Sequence, residues 1–172
     1  RGMGLVPEDR KLQGLMLQMS VKENATLSVL PRVSRWGLLS AGAEKTLFDP
    51  AAQRLRLKPA SPDLPVGKLS GGNQQKALLA RAIFADPDIL FLDDPARGID
   101  VAAKEDIYRL ISELAASGKS ILLASSELPE LMRCADRILV LREGRVTGMF
   151  PASDATQEAI MAAATHSFAE AG

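Results

Sequence analysis

Two short apolar runs, separated by a stretch with helical spacing, place the strongest constraint on the fold. Ile89–Asp93 reads ILFLD and Ile121–Ala124 reads ILLA. Apolar runs of this length without polar alternation are typical of buried strands. Between them, apolar residues recur at helical intervals from Ile107 to Leu114, and Gly118 marks the end of that helix. Strand, helix and strand in this order predict an α/β fold with a parallel sheet whose strands are fully buried.

Local signals predict further elements before these strands. Gly4–Asp9 reads as a short strand that enters a loop, and Ser20 with Glu23 predicts a capping box at a helix start. A second helical pattern runs from Glu44 to Leu55. We expect it to break at Asp49–Pro50, because these residues resemble an N-cap followed by a first helical residue.

The remaining elements follow the second strand. Arg137–Phe150 predicts a hairpin that turns through Glu143 and Gly144, and a short helix is expected near Gln157–Ala164. We expect Trp36, the only tryptophan, to be partly buried in a core rather than to dock a partner.

Composition excludes several classes of protein. The 172 residues provide room for one domain, and 21 Lys and Arg balance 21 Asp and Glu. The chain as a whole therefore has no net field that would attract nucleic acid, and we expect no nucleic-acid partner. A single cysteine excludes an internal disulfide framework, and no apolar run approaches the length of a membrane span.

The stretch LSGGNQQK, from Leu69 to Lys76, is typical of phosphate recognition. A serine and two glycines precede a helix predicted from Asn73 to Ala85. Backbone N–H groups and a helix N-terminus in this arrangement point toward an anion. The pattern indicates a nucleotide as the ligand.

Acidic and hydroxyl residues follow both predicted strands. Asp93 and Asp94 end ILFLD, while Ser125 and Ser126 follow ILLA. Ligands of parallel sheets bind at the carboxyl ends of the strands. One carboxylate can hold a hydrated Mg²⁺ while the other orients or deprotonates water. The alternative for an isolated Asp-Asp pair is a helix N-cap and a solvated acid.

Four motifs in chain order carry a resemblance to a known family. LSGGNQQK, ILFLDDPARGID, ILLASSELPEL and ADRILVLREGR resemble the nucleotide-binding domain of ATP-binding-cassette transporters. They are more closely similar to the carboxy-terminal cassette of the fused two-cassette ATPases that energise bacterial importers of ribose, galactose and xylose. The opening segment GLVPEDRKLQGLMLQMSVKENATL also resembles the family's Q-loop region, so the likeness spans Gly4 to about Phe150.

The resemblance implies a domain organisation and a set of partners. Residues 1–19 would form the Q-loop region and residues 20–68 the helical subdomain. Residues 69–150 would form the signature, Walker B, D-loop and switch-loop part of the catalytic core, and residues 151–172 a C-terminal helix and tail. The implied ligands are ATP and Mg²⁺. The implied partners are an opposing cassette, membrane-spanning permease subunits and, indirectly, a periplasmic sugar-binding protein, with the subunit at the cytoplasmic face of the bacterial inner membrane.

The resemblance also assigns roles to individual residues. The signature would contact the γ-phosphate of a nucleotide held by the opposing cassette, and it consists of Leu69, Ser70, Gly71, Gly72 and Asn73. Asp93 would act on Mg²⁺ through water, Asp94 would occupy the general-base position, and Asp100 would end the D-loop at the cassette interface. Glu8 lies at the Q-loop position and Ser126 at the position of the switch histidine. The alternatives are helix caps at Ser126 and at Asp100.

Two departures from the family pattern affect the expected mechanism. Most active cassettes carry glutamate where Asp94 stands, and aspartate is one methylene shorter. A misplacement of about 1 Å can cost about a hundredfold in rate. Ser126 offers a hydroxyl but no imidazole, so it cannot exchange a proton near neutral pH. We expect a degenerate site that binds and clamps ATP more than it hydrolyses it.

A third departure is the absence of the P-loop pattern G-x-x-x-x-G-K-[ST] from this sequence. Gly118-Lys119-Ser120 resembles the end of this pattern, but position 113, where the pattern requires its first glycine, is Glu. The triplet also precedes a predicted strand, whereas a P-loop opens a helix. In the family, the P-loop lies upstream of the segment that this chain matches. We therefore interpret the chain as the later part of a cassette, without the P-loop strand and the amino-terminal β-subdomain. We expect this part alone to lack ATPase activity and to self-associate through an uncovered sheet edge.

Other functions remain open at the level of sequence. A nucleoside importer shares LSGGNQQK, and a non-catalytic interaction module could use residues 20–65 for docking. DNA-maintenance ATPases insert long coiled coils before the signature, but residues 31–65 sustain no heptads. Tandem-cassette translation factors are a weaker option, and they have no permease partner.

Overall fold

The computed structural model describes residues 2–57 and 62–165. The strands in chain order are β1 (Met3–Val6), β2 (Ser34–Arg35), β3 (Leu38–Leu39), β4 (Ile89–Asp93), β5 (Ser120–Ala124), β6 (Arg137–Arg142) and β7 (Arg145–Pro151). The α-helices are α1 (Val21–Thr26), α2 (Leu30–Val33), α3 (Ala41–Arg54), α4 (Gly71–Phe84), α5 (Val101–Ala116), α6 (Leu128–Cys134) and α7 (Gln157–Thr165). Short non-α turns lie at Arg10–Gly14, Leu27–Val29 and Val66–Lys68.

The chain divides into two compact units, Arg1–Ala124 and Ser125–Gly172. The first unit contains a parallel sheet in the order β1-β4-β5 together with helices α1 to α5. The second contains the β6–β7 hairpin with α6 and α7. Among the residues that the structure describes, no helix combines the length and apolar character needed to cross a bilayer.

The sheet of the first unit confirms the predicted parallel arrangement. β4 occupies Ile89–Asp93 as predicted and pairs with both neighbours, so that Leu92 lies between Val6 and Leu123 in register. Leu90 and Leu92 are 3% and 1% exposed and form the covered face of the sheet. Helix α4 packs against β1 and helix α5 against β5.

The predicted full burial of both strands is wrong. Ile89 and Phe91 of β4 are only half-buried, and Leu122 of β5 is 58% exposed. In the described part of the chain, β5 is an edge strand that pairs with β4 alone. The continuous apolar pattern therefore marks strands whose second face is not covered within this unit.

The helices between β1 and β4 follow the local signals with one exception. Ser20 caps α1 with both hydrogen bonds of a capping box, as predicted. The expected break at Asp49–Pro50 is wrong, because α3 continues through Pro50 to Arg54. A proline inside a helix costs about 3 kcal/mol or more. Pro50 lies on the exposed side, while Phe48 and Leu55 are buried on the opposite side and hold the helix in place.

A two-residue turn at Trp36 and Gly37 joins β2 and β3. Both turn residues have positive φ, +56° and +80°, which matches the turn type favoured in two-residue hairpins. Trp36 is 93% exposed, so the expectation that it is partly buried is wrong. The side chain at the tip of such a turn points away from both strands and has no core to enter.

The second unit contains the predicted hairpin and terminal helix. Glu143 and Gly144 form the turn with φ of +50° and +76°, and β6 pairs with β7 in antiparallel register. Ile138, Val140 and Ile160 form the small core between the hairpin and α7. Partly buried residues of α6 pack against this core.

Candidate functional site

The predicted phosphate-binding motif lies at the exposed start of α4. Ser70 is the N-cap, and its Oγ accepts hydrogen bonds from the Asn73 backbone N–H at 3.5 Å and from Asn73 Nδ2 at 3.1 Å. Leu69 precedes the cap in extended conformation. A serine hydroxyl, an amide side chain and the N–H groups of the first helical turn therefore share one partly exposed helix end.

Gly72 brings this helix start against the beginning of α5. A Cβ added to Gly72 would lie 2.5 Å from Cβ of Ala103 and 3.6 Å from Oδ2 of Asp100. No side chain fits this space without moving one helix. The glycine is therefore required by a close approach of α4 to α5, and the approach places Asp100 beside the motif.

Asp100 caps α5, as predicted by the helix-cap interpretation that was the alternative to its D-loop role. Its Oδ1 accepts a hydrogen bond from the Ala103 backbone N–H at 2.9 Å. Gly98, two residues earlier, has φ of +66°. The turn between Asp94 and α5 thus ends in a fixed cap next to Gly72.

Arg10 also contacts the start of α4. Its Nε donates to Oε1 of Gln74 at 3.4 Å and its Nη1 donates to the backbone carbonyl of Arg97 at 3.2 Å. A Cβ on Gly71 would lie 2.8 Å from Nη2 of Arg10 and 3.4 Å from the carbonyl oxygen of Gly98. Gly72 is therefore needed for close packing against α5, whereas a Cβ on Gly71 would displace only the flexible end of the Arg10 side chain.

Gln74 fixes the loop that leads into the motif. It is 4% exposed, and its Nε2 donates to the carbonyl oxygens of Val66, Gly67 and Leu69 at 3.3, 3.4 and 3.2 Å. Sequence reasoning missed Gln74 and Arg10. The NQQK segment signalled only a polar helix start, and Arg10 interacts with residues far away in the chain.

Glu8 forms an ion pair with the guanidinium of Arg97. The resemblance placed Glu8 at the Q-loop position. In this structure its carboxylate reaches the segment that follows Asp94. Arg97 is therefore held at its side chain by Glu8 and at its carbonyl by Arg10.

The two aspartates lie at the carboxyl end of β4, as predicted. Asp93 is the last residue of the strand and is exposed. The backbone N–H of Asp94 donates to the carbonyl of Ala124 at 2.9 Å, and its own carbonyl accepts from the Arg97 N–H at 3.1 Å. Asp94 has φ of +42°, a left-handed conformation in which aspartate is enriched among residues with side chains.

Ser126 belongs to the second unit. It is exposed and does not cap α6, because Glu127 occupies the N-cap position. The helix-cap interpretation of Ser126 is therefore wrong. The neighbouring Ser125 organises this loop, since its hydroxyl bonds to the Glu130 carboxylate and accepts from the Glu127 N–H at 3.0 Å.

Within residues 2–57 and 62–165, no group of three or more acidic, histidine or cysteine side chains is arranged to hold a metal ion. A hydrated Mg²⁺ does not require such a group, because it keeps several waters and uses one or two carboxylates. An exposed carboxylate at a strand end, as at Asp93, fits this kind of ligand.

Comparison with known protein families gives a direct match. A family model described as ABC transporter matches residues 1–97. The ribose import ATP-binding protein RbsA 2 of Rubrobacter xylanophilus is 52% identical over 165 residues, which cover 96% of this chain and 32% of that protein. The xylose import ATP-binding protein XylG of Ralstonia nicotianae is 50% identical over 165 residues, with coverage of 96% and 32%. The chain spans about a third of the length of the curated relatives it matches.

Solved structures show the same fold. The dimeric ATP-binding cassette MJ0796, in a post-hydrolysis state bound to ADP and Pi, superposes with a TM-score of 0.72 at 22% identity, over 88% of this chain and 63% of that one. A nucleotide-free ATP-binding cassette from an ABC transporter gives a TM-score of 0.71 at 21% identity, over 87% and 61%. At these identities the likeness shows the fold alone, and it confirms the α/β cassette fold that the sequence motifs implied.

Proposed function

Because the chain belongs to the ABC transporter family, we propose that it forms part of the ATP-binding subunit of a sugar importer, in which ATP binding and hydrolysis drive transport. The ribose and xylose import proteins that resemble it over 96% of its length support a pentose or related sugar as the transported substrate. The chain supplies the segment from the Q-loop region to the switch loop.

The geometry at the start of α4, the helix that begins within the signature and is called the signature helix below, is the observation that carries this proposal. Ser70 and Asn73 lie at a helix start that is closely supported on two sides, by α5 at Gly72 and by Arg10 at Gly71. A phosphate site is most effective when its donors are fixed before the ligand arrives. As the family resemblance implies, the signature would serve a nucleotide held by the P-loop of an opposing cassette. In keeping with this, LSGGN itself carries no lysine that could grip the phosphates.

ATP and Mg²⁺ are the ligands of the proposed site. Asp93 would hold Mg²⁺ through water, and the ion would neutralise charge on the β- and γ-phosphates. Asp94 would orient or deprotonate the attacking water. Ser126 would contribute a hydroxyl at the switch position, and Glu8 and Asp100 would act at the Q-loop and at the cassette interface.

The partners follow from the same proposal. The opposing cassette completes the nucleotide site, and permease subunits transmit the resulting movement across the bacterial inner membrane. The chain would work at the cytoplasmic face of that membrane, with a periplasmic sugar-binding protein acting indirectly. No nucleic acid takes part.

Asp94 supports a site that clamps ATP more than it hydrolyses it. Aspartate holds its carboxylate about one methylene closer to the backbone than glutamate does, and its left-handed φ of +42° is accommodated more easily by aspartate than by longer side chains. Because the shorter aspartate is expected to slow hydrolysis, Asp94→Glu should raise ATP turnover of the intact transporter by up to about a hundredfold. Asp94→Asn should lower the turnover below that of the wild type. Asp88→Glu is the control, because Asp88 is exposed and lies just before the opposite end of the strand. Unchanged turnover in both Asp94 variants contradicts the clamp.

Uptake by the assembled transporter tests the proposed function itself. Ser70→Ala in the ATP-binding subunit should reduce sugar-stimulated ATPase activity by about tenfold to a hundredfold, because it removes a hydrogen bond to a charged phosphate. Ser40→Ala is the matched control, since Ser40 caps α3 in the same way and α3 has the same length of 14 residues. Ribose, xylose and a nucleoside are compared as substrates. If the ATP-binding subunit does not co-purify with any permease, the importer proposal is contradicted. If only the nucleoside stimulates ATPase activity, the transported substrate is a nucleoside and not a sugar.

A further inference from the structure

Arg10 joins two segments that lie far from it in sequence. It donates to Gln74, which is 64 residues away, and to the carbonyl of Arg97, which is 87 residues away. Gln74 belongs to the signature helix and Arg97 to the turn between Asp94 and Asp100. One side chain therefore connects both segments that would face the opposing cassette.

We propose that Arg10 is a positioning residue that sets the distance between the signature helix and the Arg97–Asp100 segment. The inference rests on the proposed function, because these two segments matter jointly only if they meet a nucleotide and a second cassette. Arg10 itself contacts no nucleotide in this proposal and acts through Gln74 and Arg97.

The shape of the guanidinium suits this task. Its donors lie in one rigid plane, so Nε and Nη1 can bond to two different acceptors at a fixed separation. The third nitrogen, Nη2, occupies the space above Gly71, where a Cβ would approach it to 2.8 Å. A lysine ammonium is a single point and cannot reach both acceptors at once.

The contacts form a closed ring around the signature helix start. Arg10 holds the carbonyl of Arg97, and the chain then runs to Asp100, which caps α5. Ala103 of helix α5 lies against Gly72 of helix α4. Gln74, also in α4, accepts from Arg10 and closes the ring. Loss of Arg10 should therefore be felt at its two direct partners, Gln74 and the Arg97–Asp100 segment.

Glu8 strengthens the same ring from its side. Its carboxylate pairs with the Arg97 guanidinium, so Arg97 is held at both ends by residues two positions apart. The Glu8 and Arg97 side chains are 43% and 61% exposed. An ion pair this exposed contributes little stability on its own. Of the two Arg10 contacts, the one to the Gln74 side chain is partly buried and the one to the Arg97 carbonyl is exposed.

Amide hydrogen exchange of the chain tests the geometric part of the proposal. The Arg97 amide donates to the Asp94 carbonyl and the Gln74 amide to the Ser70 carbonyl, so neither bonds to Arg10 itself. Arg10→Met should nevertheless accelerate exchange of both amides by about tenfold to a hundredfold, because each segment loses a hydrogen bond from a charged group that holds it in place. Amides in the middle of α5 should be unaffected. Arg10→Lys should give an intermediate acceleration, and Lys11→Met removes the same charge from the neighbouring exposed residue as the matched control. Equal exchange in the Arg10 and Lys11 variants overturns the proposal.

ATP hydrolysis by the subunit that carries this chain tests the functional part. Arg10→Met should lower kcat by about tenfold or more with little change in KM, because the variant misaligns segments that act in the transition state. Arg10→Lys should recover part of the rate, and Lys11→Met should behave as wild type. Wild-type rates in Arg10→Met overturn the proposal. If the wild-type subunit neither binds nor hydrolyses ATP, the proposed function is contradicted. The hydrogen-exchange result still tests whether Arg10 positions Gln74 and Arg97.

Discussion

Replacing Gly72 with alanine tests the contact that fixes the signature helix. The added Cβ would lie 2.5 Å from Cβ of Ala103, whereas carbon atoms in favourable contact are about 3.5–4.0 Å apart. Helices α4 and α5 must therefore separate by about 1 Å or more at this point. Overpacking of this kind costs about 1–3 kcal/mol.

A second glycine in the chain allows this steric cost to be isolated. Gly42 and Gly72 both occupy the second position of a 14-residue helix that begins after a serine N-cap. No atom lies within 4 Å of a Cβ added to Gly42. Gly42→Ala should stabilise the chain by about 0.5–1 kcal/mol through helix propensity alone. The difference between the two variants gives the clash, with an expected value of about 1–3 kcal/mol.

Urea unfolding followed by circular dichroism measures both variants at equal m-value. Ala103→Gly removes the opposing methyl, so it should restore most of the loss when combined with Gly72→Ala while costing about 1 kcal/mol alone. A coupling of about 1–3 kcal/mol between the two substitutions would identify the contact. If Gly72→Ala stabilises the chain as much as Gly42→Ala, the close approach of α4 to α5 is refuted.

Three further predictions concern charge, backbone conformation and the open sheet edge. Burial acts to raise the pKa of Asp106, but a hydrogen bond from Lys76 and the nearby arginines outweigh it, so the pKa lies below its ordinary value. The resulting stability is present above the unfolded value near 4 and is lost as pH falls through the folded value. Asp106→Asn should therefore cost about 1–3 kcal/mol at pH 7 in denaturant titrations, because it leaves the buried Lys76 ammonium without its carboxylate. The difference should disappear in acid, and a constant difference down to pH 2 would contradict the pairing. Glu143→Asn should raise Tm by about 2–4 °C, since asparagine suits the left-handed turn where Glu143 has φ of +50°; an unchanged or lower Tm in calorimetry would contradict strain at this turn. Wild-type chain should associate with rising concentration in sedimentation, and Leu122→Lys on the edge strand should suppress this. A monodisperse wild-type monomer at all concentrations would contradict the uncovered edge.

Features that depend on local interactions could be predicted from the sequence. The strand at Ile89–Asp93, the capping box at Ser20 and the cap at Asp100 all follow from neighbouring residues. The hairpin turn at Glu143 and Gly144 does too. These elements lie where predicted because the packing of the whole chain favours the same conformation as the interactions between neighbouring residues.

Features decided by packing could not be predicted in the same way. The break expected at Pro50 did not occur, because buried residues on the far side of α3 hold the helix continuous. Full burial of β5 was expected from its apolar pattern, but burial depends on what covers a strand. Trp36 was expected in a core and lies at a turn tip instead.

The candidate site shows the same division. The motif residues Ser70, Asp93 and Asp94 were visible as types in a recognisable order. Arg10 and Gln74 were not, because their contacts join residues that are distant in the chain and no periodic pattern marks them. The residues that arrange the site, rather than those that would touch a ligand, were the ones that needed the structure.

Titration calorimetry of Mg-ATP into this chain, up to millimolar nucleotide, tests the central claim most directly. If the signature serves a nucleotide held by another cassette, the chain alone should show no binding tighter than about 1 mM, which corresponds to about 4 kcal/mol. Micromolar binding would mean that this chain contains its own phosphate cradle, and it would contradict the proposed division of the site between two cassettes.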